Sequence, residues 1–317
     1  MKRRISGLLR LTRFREYTSF VTVTTLLGAA VGHGSFGWPL IRVLLANWLA
    51  VGFAFMINDV EDAPDDALNP AKAERNPVSA GDVSGRLGRS AAIIEAAFAA
   101  ALFAGLGVWP FAVGLTCLTF GYLYSWRRIR LKTIPVADLV SHALMLAGLQ
   151  FLAACFSFGR SPSWPWLLPF ALVVAVSLYG QLFNELRDYE ADLRAGVTHT
   201  ASLLGPQVAQ LVMMIWLGIG VISAILIIFV IRLIPAWVLL LMLAITGVLV
   251  LRPILKVRRS HSVVELQLPF QEPVEVAAAL SLAAWFGGSW VVTALNTEMG
   301  LAIQRWIILL SWLGRCF

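Results

Sequence analysis

The chain has 317 residues, of which 59% are hydrophobic and only 14% are charged, and its formal net charge is +7. Soluble globular chains are about 45–50% apolar and about 25% charged, so this composition predicts a membrane protein and excludes a disordered chain. The three cysteines follow no paired spacing, which excludes a disulfide scaffold. Because the basic residues lie between apolar segments, the positive charge indicates membrane topology rather than nucleic-acid binding.

Nine apolar segments are long enough to cross a bilayer, which requires about 20 residues each. They lie at about 17–33, 37–58, 89–107, 108–126, 135–157, 164–185, 207–231, 234–252 and 274–295. They predict an all-α, polytopic membrane domain over residues 17–295, preceded by a basic segment, 1–16, and followed by an apolar tail, 296–317. Within the tail, residues 300–315 predict either a tenth, shallow helix or an interfacial one.

The basic residues also predict the orientation. Twenty of the 25 Lys and Arg residues lie in the N-terminal segment and in the loops after the second, fourth, sixth and eighth apolar segments, whereas the other loops are short and nearly uncharged. Because positively charged loops stay in the cytoplasm, we expect the N-terminus and the large loops to be cytoplasmic. The expected location is the inner or plasma membrane of the cell.

Two acidic stretches follow the second and sixth apolar segments and share one pattern. NDVEDAPDD (58–66) and NELRDYEAD (184–192) both read N-[D/E]-x-x-D-x-x-x-D at an offset of 126 residues. A basic loop closes the four-segment set that contains each stretch, WRRIRLK at 126–132 and RPILKVR at 252–258. The pattern predicts an internal duplication, with two four-helix repeats and one further helix.

Helical spacing places the polar residues of each motif on one face, since residues three and four apart are neighbours on a helix. The two predicted stripes are Asn58, Asp62 and Asp66, and Asn184, Asp188 and Asp192. Two solvated acidic helix ends are the alternative, but they do not account for the Asn that precedes both stripes. Carboxylate and amide oxygens suit Mg²⁺, which typically binds one or two carboxylates together with substrate phosphates. The predicted metal ligands are Asp59, Asp62, Asp66, Asp188 and Asp192.

Basic side chains near the motifs are candidates for binding the phosphates of such a ligand. The predicted substrate-binding residues are Asn58, Lys72, Arg75, Tyr124, Arg127, Lys132, Asn184 and Arg194. Asp138 is a further candidate, for contacting or deprotonating an acceptor. The four histidines form no ligand pattern and are predicted to be structural or solvated.

With its paired motifs, the chain resembles the UbiA-type intramembrane prenyltransferase superfamily over about residues 10–295. That family has an N-D-x-x-D-x-x-x-D motif after its second helix and a D-x-x-x-D motif after its sixth. The flanking segments are also similar, namely NPAKAERNPVSAG (69–81), YSWRRIRLK (124–132) and RDYEADLRAGVTHTASLLG (187–205). The chain departs from the family at Pro64, which is expected to bend or end the helix and to leave Asp66 on a loop. It also has Asn76 where many members have Arg, so that Arg75 is expected to serve instead.

The resemblance implies nine helices around a central cavity and transfer of a prenyl group from a polyprenyl diphosphate to a small-molecule acceptor, with membrane lipid as a further partner and no nucleic acid. It implies two Mg²⁺ ions, with Mn²⁺ as the alternative ion, and catalytic roles for Asp59, Asp62 and Asp188. The flank of the second motif favours an aromatic or quinone-precursor acceptor. A glycerophospholipid precursor, a carotenoid end, or phosphoribosyl transfer to a polyprenyl phosphate remains open, as does a cation-coupled transporter of a different class.

The orientation is testable by cysteine labelling. Single cysteines placed in loops 59–88 and 186–206 should not react with an impermeant reagent added to intact cells, because both loops are predicted to be cytoplasmic. A cysteine at Ser35, between the first two apolar segments, is the positive control. Labelling of either large loop from outside would overturn the predicted topology.

Overall fold

The computed structural model describes residues 2–68, 70–158, 166–194, 196–257 and 271–293. All regular structure in these ranges is helical. The helices are α1 (Lys2–Leu11), α2 (Phe14–Val31), α3 (Trp38–Asp66), α4 (Pro70–Arg75), α5 (Gly85–Ala104), α6 (Val108–Ser125), α7 (Ala137–Ala143), α8 (Leu149–Phe156), α9 (Leu167–Arg194), α10 (Thr200–Leu204), α11 (Pro206–Ile225), α12 (Ala236–Val257) and α13 (Gln271–Thr293). A 3₁₀ turn (Leu131–Thr133) precedes α7, a π-helical turn (Leu144–Gly148) joins α7 to α8, and another (Leu226–Val230) extends α11.

Seven helices in the described ranges are long and apolar enough to cross a membrane. They are Trp38–Asp66, Gly85–Ala104, Val108–Ser125, Ala137–Phe156, Leu167–Glu190, Pro206–Val230 and Gln271–Thr293. The two other predicted segments are also helical. Segment 17–33 lies mostly in α2, which is outside this set of seven, and segment 234–252 lies in α12, whose apolar part, Ala236–Leu251, is shorter. The predicted tail, 296–317, lies outside the described residues.

The expected end of α3 at Pro64 is wrong. The helix continues through Pro64 to Asp66, so the last carboxylate of the first motif lies on the helix and not on a loop. Pro64 removes one donor to the carbonyl of Val60, but this loss falls within the last turn, where few further hydrogen bonds remain to be made. The predicted stripe therefore keeps its helical spacing over its whole length.

The bundle is held by close contacts between backbones and by polar links. α3 packs against α5 and α6, α9 packs against α11, and α2 packs against α8. Gly28 and Gly32, one turn apart on α2, face the backbone of α8, an arrangement of small residues that is typical of membrane helix contacts. At the same interface the buried Asn47 amide donates to Thr25 Oγ1 at 2.8 Å and to the carbonyl oxygen of Gln150 at 3.1 Å.

The close contact at Gly28 predicts a sharp packing penalty. A Cβ added there would fall well inside the van der Waals distance of the Phe151 carbonyl oxygen, which belongs to the α8 backbone. We expect Gly28→Ala to cost about 1–3 kcal/mol, as overpacked core substitutions do. Gly218→Ala is the matched control, because a Cβ at Gly218 would meet no atom within 4 Å. Thermal unfolding of the detergent-solubilised variants measures the difference, and equal midpoints would contradict the prediction.

Candidate active site

The first stripe begins where α3 meets the loop after α6. Lys132 Nζ donates to Asn58 Oδ1 at 2.9 Å and also bonds an oxygen of Asp62, while Ser125 Oγ donates to Asn58 Oδ1 at 3.0 Å. Burial lowers the pKa of Lys132, although the adjacent Asp62 carboxylate favours its charged form. The predicted residues Asn58, Asp62 and Lys132 therefore lie together in one polar cluster.

Two arginines of the same loop extend this cluster. Arg130 donates to Asp62 at 3.1 Å and to Asp65 at 2.8 Å. Arg127 donates to Asp65 at 2.8 Å and, through Nε, to the carbonyl oxygen of Glu61 at 2.9 Å. The buried Glu61 side chain also accepts from Arg89 at 2.8 Å. The predicted residue Arg127 thus lies beside the first motif, and Arg130 and Arg89 join it.

Asp59 has a different environment from the stripe beside it. Its side chain is 0% exposed, and both of its oxygens accept from the guanidinium of Arg13, with Arg13 Nε at 3.2 Å. The guanidinium of Arg13 also lies over the Phe55 ring, 5.7 Å from its centroid. The N-terminal segment is therefore bonded directly to the first motif.

Asp66, at the end of α3, accepts a hydrogen bond from an amide. Asn76 is 1% exposed, and its Nδ2 donates to Asp66 Oδ2 at 2.9 Å and to the carbonyl oxygen of Asp59 at 2.8 Å. Asn76 Oδ1 accepts from the backbone of Val78 at 2.9 Å, which fixes the amide orientation. Asn76, the position at which the chain departs from the family pattern, therefore connects the loop after α4 to the first motif. The adjacent Arg75 turns toward Glu16, with which it forms a 2.7 Å ion pair.

The second stripe lies on the last turns of α9. Arg187 donates to both oxygens of its neighbour Asp188 at 3.0 Å. Asp192 lies 3.5 Å from His199 Nε2 and 3.7 Å from Lys72 Nζ. Because Lys72 follows the first motif and Asp192 ends the second, this ion pair joins the two stripes.

His199 is a member of the site that the sequence analysis did not identify. Its Nδ1 lies 3.3 Å from Glu185 and accepts from the backbone N–H of Ser202 at 3.2 Å, and its Nε2 lies 3.5 Å from Asp192, so the imidazole lies between two acids of the second motif. Hydrogen bonds to Asp192 and Glu185 raise the pKa of His199 to about 9. Burial raises the pKa of Asp192, but the hydrogen bond from His199 and the charge of Lys72 outweigh it, so that the pKa lies below its ordinary value.

A second link between the halves passes through Tyr124. Gln181 Nε2 donates to Tyr124 Oη at 3.3 Å and to Glu185 at 2.9 Å, which places the end of α6 against α9. Of the other predicted substrate-binding residues, Arg194 donates to the Glu190 carbonyl oxygen at 3.0 Å, and Asn184 is exposed.

The residues of the site outside the predicted set include Arg13, Asn76, Arg130 and His199. Arg13 and Arg130 belong to basic runs in which topology alone explains every charge, so the sequence does not single them out. His199 follows the second motif by only seven residues, and that proximity was the available signal. His199 is buried between two carboxylates and caps the start of α10, so it is not solvated, and this structural role agrees with the prediction for the histidines.

The donor chemistry fits a hard divalent cation. Within the described residues no three His, Cys, Asp or Glu side chains converge on one point to enclose a metal. The ammonium of Lys132 nevertheless lies between the Asn58 amide oxygen and an Asp62 oxygen, so these two oxygens already converge on a positive charge. Each stripe offers carboxylates but no full cage, which matches Mg²⁺ sites that are completed by substrate phosphates and water.

Two relatives are similar in sequence to part of the chain. The chain is 30% identical over 177 residues to the bacteriochlorophyll synthase 33 kDa chain of Cereibacter sphaeroides, which covers 54% of the chain and 57% of that protein. It is 30% identical over 210 residues to a lycopene elongase/hydratase of Haloarcula japonica, which covers 62% of the chain and 67% of that protein. The match thus spans little more than half of the first relative's length.

The fold agrees with that of a solved structure, a UbiA homolog from Archaeoglobus fulgidus bound to GPP and Mg²⁺. The two superpose with a TM-score of 0.61 at 24% identity, over 89% of this chain and 98% of that one. The model of the UbiA prenyltransferase family matches residues 20–268, which is most of the chain. On this match, the chain belongs to the UbiA prenyltransferase family.

Proposed function

We propose that the chain catalyses Mg²⁺-dependent transfer of a prenyl group from a polyprenyl diphosphate to an acceptor. One observation carries the proposal. Two carboxylate stripes, at the ends of α3 and α9, are joined by the Lys72–Asp192 pair and are surrounded by cations from the adjoining loops. Such a site suits a ligand that brings divalent cations and several phosphate oxygens together.

In this proposal the metal ligands are the carboxylates of the two motifs, Asp59, Asp62, Asp66, Asp188 and Asp192. Asp62 and Asp188 are the central ligands of the two stripes, whereas Asp59 would first have to exchange its bonds to Arg13. When bound there, Mg²⁺ (or Mn²⁺) would neutralise the negative charge that develops on the departing diphosphate.

The chain's own cations hold the rest of the donor. Lys132, Arg127 and Lys72 each have an end group within about 4 Å of a motif carboxylate or its helix, so small rotations bring them to diphosphate oxygens. Arg75, Arg194, Asn58 and Asn184 complete the proposed set. Tyr124, close to the α6–α9 contact, would contact the prenyl group, and apolar helix walls would exclude the water that otherwise captures the allylic cation.

The proposed architecture is two four-helix repeats plus one helix, around a central cavity. Three features support it. Shifting α3 (38–66) by 126 residues gives 164–192, close to the observed α9 (167–194). The α3–α5 contact has its counterpart in the α9–α11 contact. Gly28 lies next to Ala154, which is its counterpart at the 126-residue offset. Two matched residues are expected to meet in this way near a pseudo-twofold axis.

The proposed acceptor is an aromatic or quinone-precursor ring. The segment after the second motif, which resembles quinone- and chlorophyll-pathway members, supports this choice, as does the bacteriochlorophyll synthase relative. A non-aromatic acceptor is the second candidate, because the lycopene elongase/hydratase relative is equally identical to the chain. Mass spectrometry of membranes with and without the protein, supplied with an isotope-labelled prenyl diphosphate, distinguishes the two by the labelled product.

A cation-coupled transporter is the alternative of a different class. Transporter carboxylates usually lie near the bilayer midplane at broken helices, whereas these lie at helix ends beside basic loops. Substrate uptake by vesicles without formation of a prenylated product would favour the transporter. In either case the proposed site faces the cytoplasm from a multi-pass position in the inner or plasma membrane, as the loop charges indicate.

Activity should depend on a divalent cation. We expect turnover of a labelled prenyl diphosphate to stop in excess EDTA and to return on addition of Mg²⁺ or Mn²⁺, because the leaving group departs with its charge neutralised. The measurement is release of inorganic diphosphate by the purified protein. Full turnover in chelator would exclude the metal-dependent mechanism.

The central carboxylates should matter far more than their neighbours. Asp62→Ala or Asp188→Ala should lower turnover about 10³-fold or more, which corresponds to several kcal/mol of lost transition-state stabilisation. Glu190→Ala is the matched control, because this exposed acid lies on α9 between Asp188 and Asp192 but outside the stripe. Equal losses in all three variants, at equal amounts of protein in the membrane, would contradict the stripe model.

A further inference from the structure

Asp138 lies outside both carboxylate motifs. Its side chain accepts hydrogen bonds from Thr200, which belongs to the segment after the second motif. Asp138 is 0% exposed, at the start of α7. One oxygen accepts from the backbone of Thr200 at 2.5 Å, and the other from the Thr200 hydroxyl at 2.5 Å and the backbone of Leu139 at 2.7 Å. Three hydrogen bonds engage both oxygens of the fully buried Asp138, which argues against the acceptor contact suggested by the sequence.

Further bonds attach the same loop to the segment before α7. The Thr200 hydroxyl accepts from the backbone of Val136 at 2.6 Å, and Thr198 Oγ1 donates to the carbonyl oxygen of Thr133 at 2.9 Å. Val136 has a φ of 70°, a left-handed conformation that is strained for a β-branched residue. Strain of this kind persists only where the surroundings enforce it, so the contact with Thr200 is a specific feature of the fold.

The residue held between these bonds is His199, which faces the second motif. Its backbone adjoins Thr200, and its ring lies between Glu185 and Asp192. The first half of the chain has an analogous arrangement, because Arg10 donates to the carbonyl oxygens of Glu74 at 2.6 Å and Arg75 at 3.3 Å. Glu74 is the counterpart of Thr200 at the 126-residue offset. In both halves of the chain, the segment that follows the carboxylate motif is therefore hydrogen-bonded to the segment that precedes the first helix of a repeat.

We propose that Asp138 is a positioning residue, which fixes Thr200 and thereby holds His199 in place to orient the Asp192 carboxylate. Residues that orient a metal-binding side chain typically change metal affinity by about 10–100-fold when they are replaced. This inference rests on the proposed function, since it assigns Asp192 to the site that binds Mg²⁺ and diphosphate. It adds three residues that belong to neither carboxylate motif: Asp138, Thr200 and His199.

The test measures binding and not turnover. The probe is Mg²⁺ with inorganic diphosphate, and its Kd is obtained from the rise in the unfolding midpoint of the purified full-length protein. We expect Asp138→Asn and His199→Ala to raise the Kd about 10-fold or more, and Thr200→Val, which keeps the backbone donor, to raise it less. Thr200→Ser retains both donors and should bind within about twofold of the unchanged protein.

The double variant Asp138→Asn/His199→Ala should bind no more weakly than His199→Ala alone, because Asp138 acts through His199.

Ser141→Ala is the matched control for loss of a buried polar group. Ser141 lies on α7 one turn after Asp138, and its hydroxyl bonds only backbone carbonyls of its own helix, those of Ala137 and Asp138. We expect Ser141→Ala to leave the Kd unchanged.

If the Asp138 and Thr200 variants have lower unfolding midpoints but bind with an unchanged Kd, the contact is only structural and the proposal is overturned. If Asp138→Asn does not fold, the Thr200 pair decides. If the unchanged protein itself gains no stability from Mg²⁺ and diphosphate, the proposed function fails as well.

Discussion

Neutralisation of buried carboxylates is the constraint on which this end of the bundle depends. Asp59, Glu61 and Glu185 are buried at the ends of long apolar helices, where an unpaired charge costs several kcal/mol. Each finds its partner on a different segment: Asp59 on Arg13 before α2, Glu61 on Arg89 of α5, and Glu185 on the loop that contains His199. The bonds that remove this electrostatic penalty therefore also fix the loops at this end of the bundle in place. The same bonds hold these loops in their folded positions and assemble the site.

The acids of the motifs fall into two groups that the structure separates clearly. Asp59 and Glu185 occupy matched positions 126 residues apart, and both turn inward, Asp59 to the half-buried Arg13 and Glu185 to the buried His199. Asp62 instead pairs with Lys132 and Arg130, and Asp192 pairs with Lys72 in addition to His199; Lys132, Arg130 and Lys72 are long side chains. The first group is suited to hold the helix ends rigidly. The second group can exchange partners without unfolding any segment, which is what a site for metal and diphosphate requires.

The sequence predicted those features that depend on local periodicity. A run of about 20 apolar residues specifies a membrane helix by itself, and i, i+4 spacing specifies a shared face, so the helices and the two stripes were accessible. It did not predict partners that are distant along the chain. Arg13 and Asp59 are separated by 46 residues, and Asp138 and Thr200 by 62, and no local pattern encodes either pair. Pro64 does not end α3. The hydrogen bond from Asn76 to Asp66, a contact between distant parts of the fold, stabilises the last turn of the helix after Pro64.

Charge balance also connects the two ligands of the proposed reaction. In this structure Lys132, Arg130 and Lys72 neutralise the carboxylates of the stripes. A divalent cation bound to those carboxylates would take over this role and free the same ammonium and guanidinium groups for a polyanion. Diphosphate binding without the metal would leave carboxylates facing phosphate oxygens, and metal binding without diphosphate would leave the basic groups facing the metal. Each ligand therefore removes a repulsion that opposes the other, and by thermodynamic linkage the coupling is reciprocal. A site built this way would bind metal and donor together.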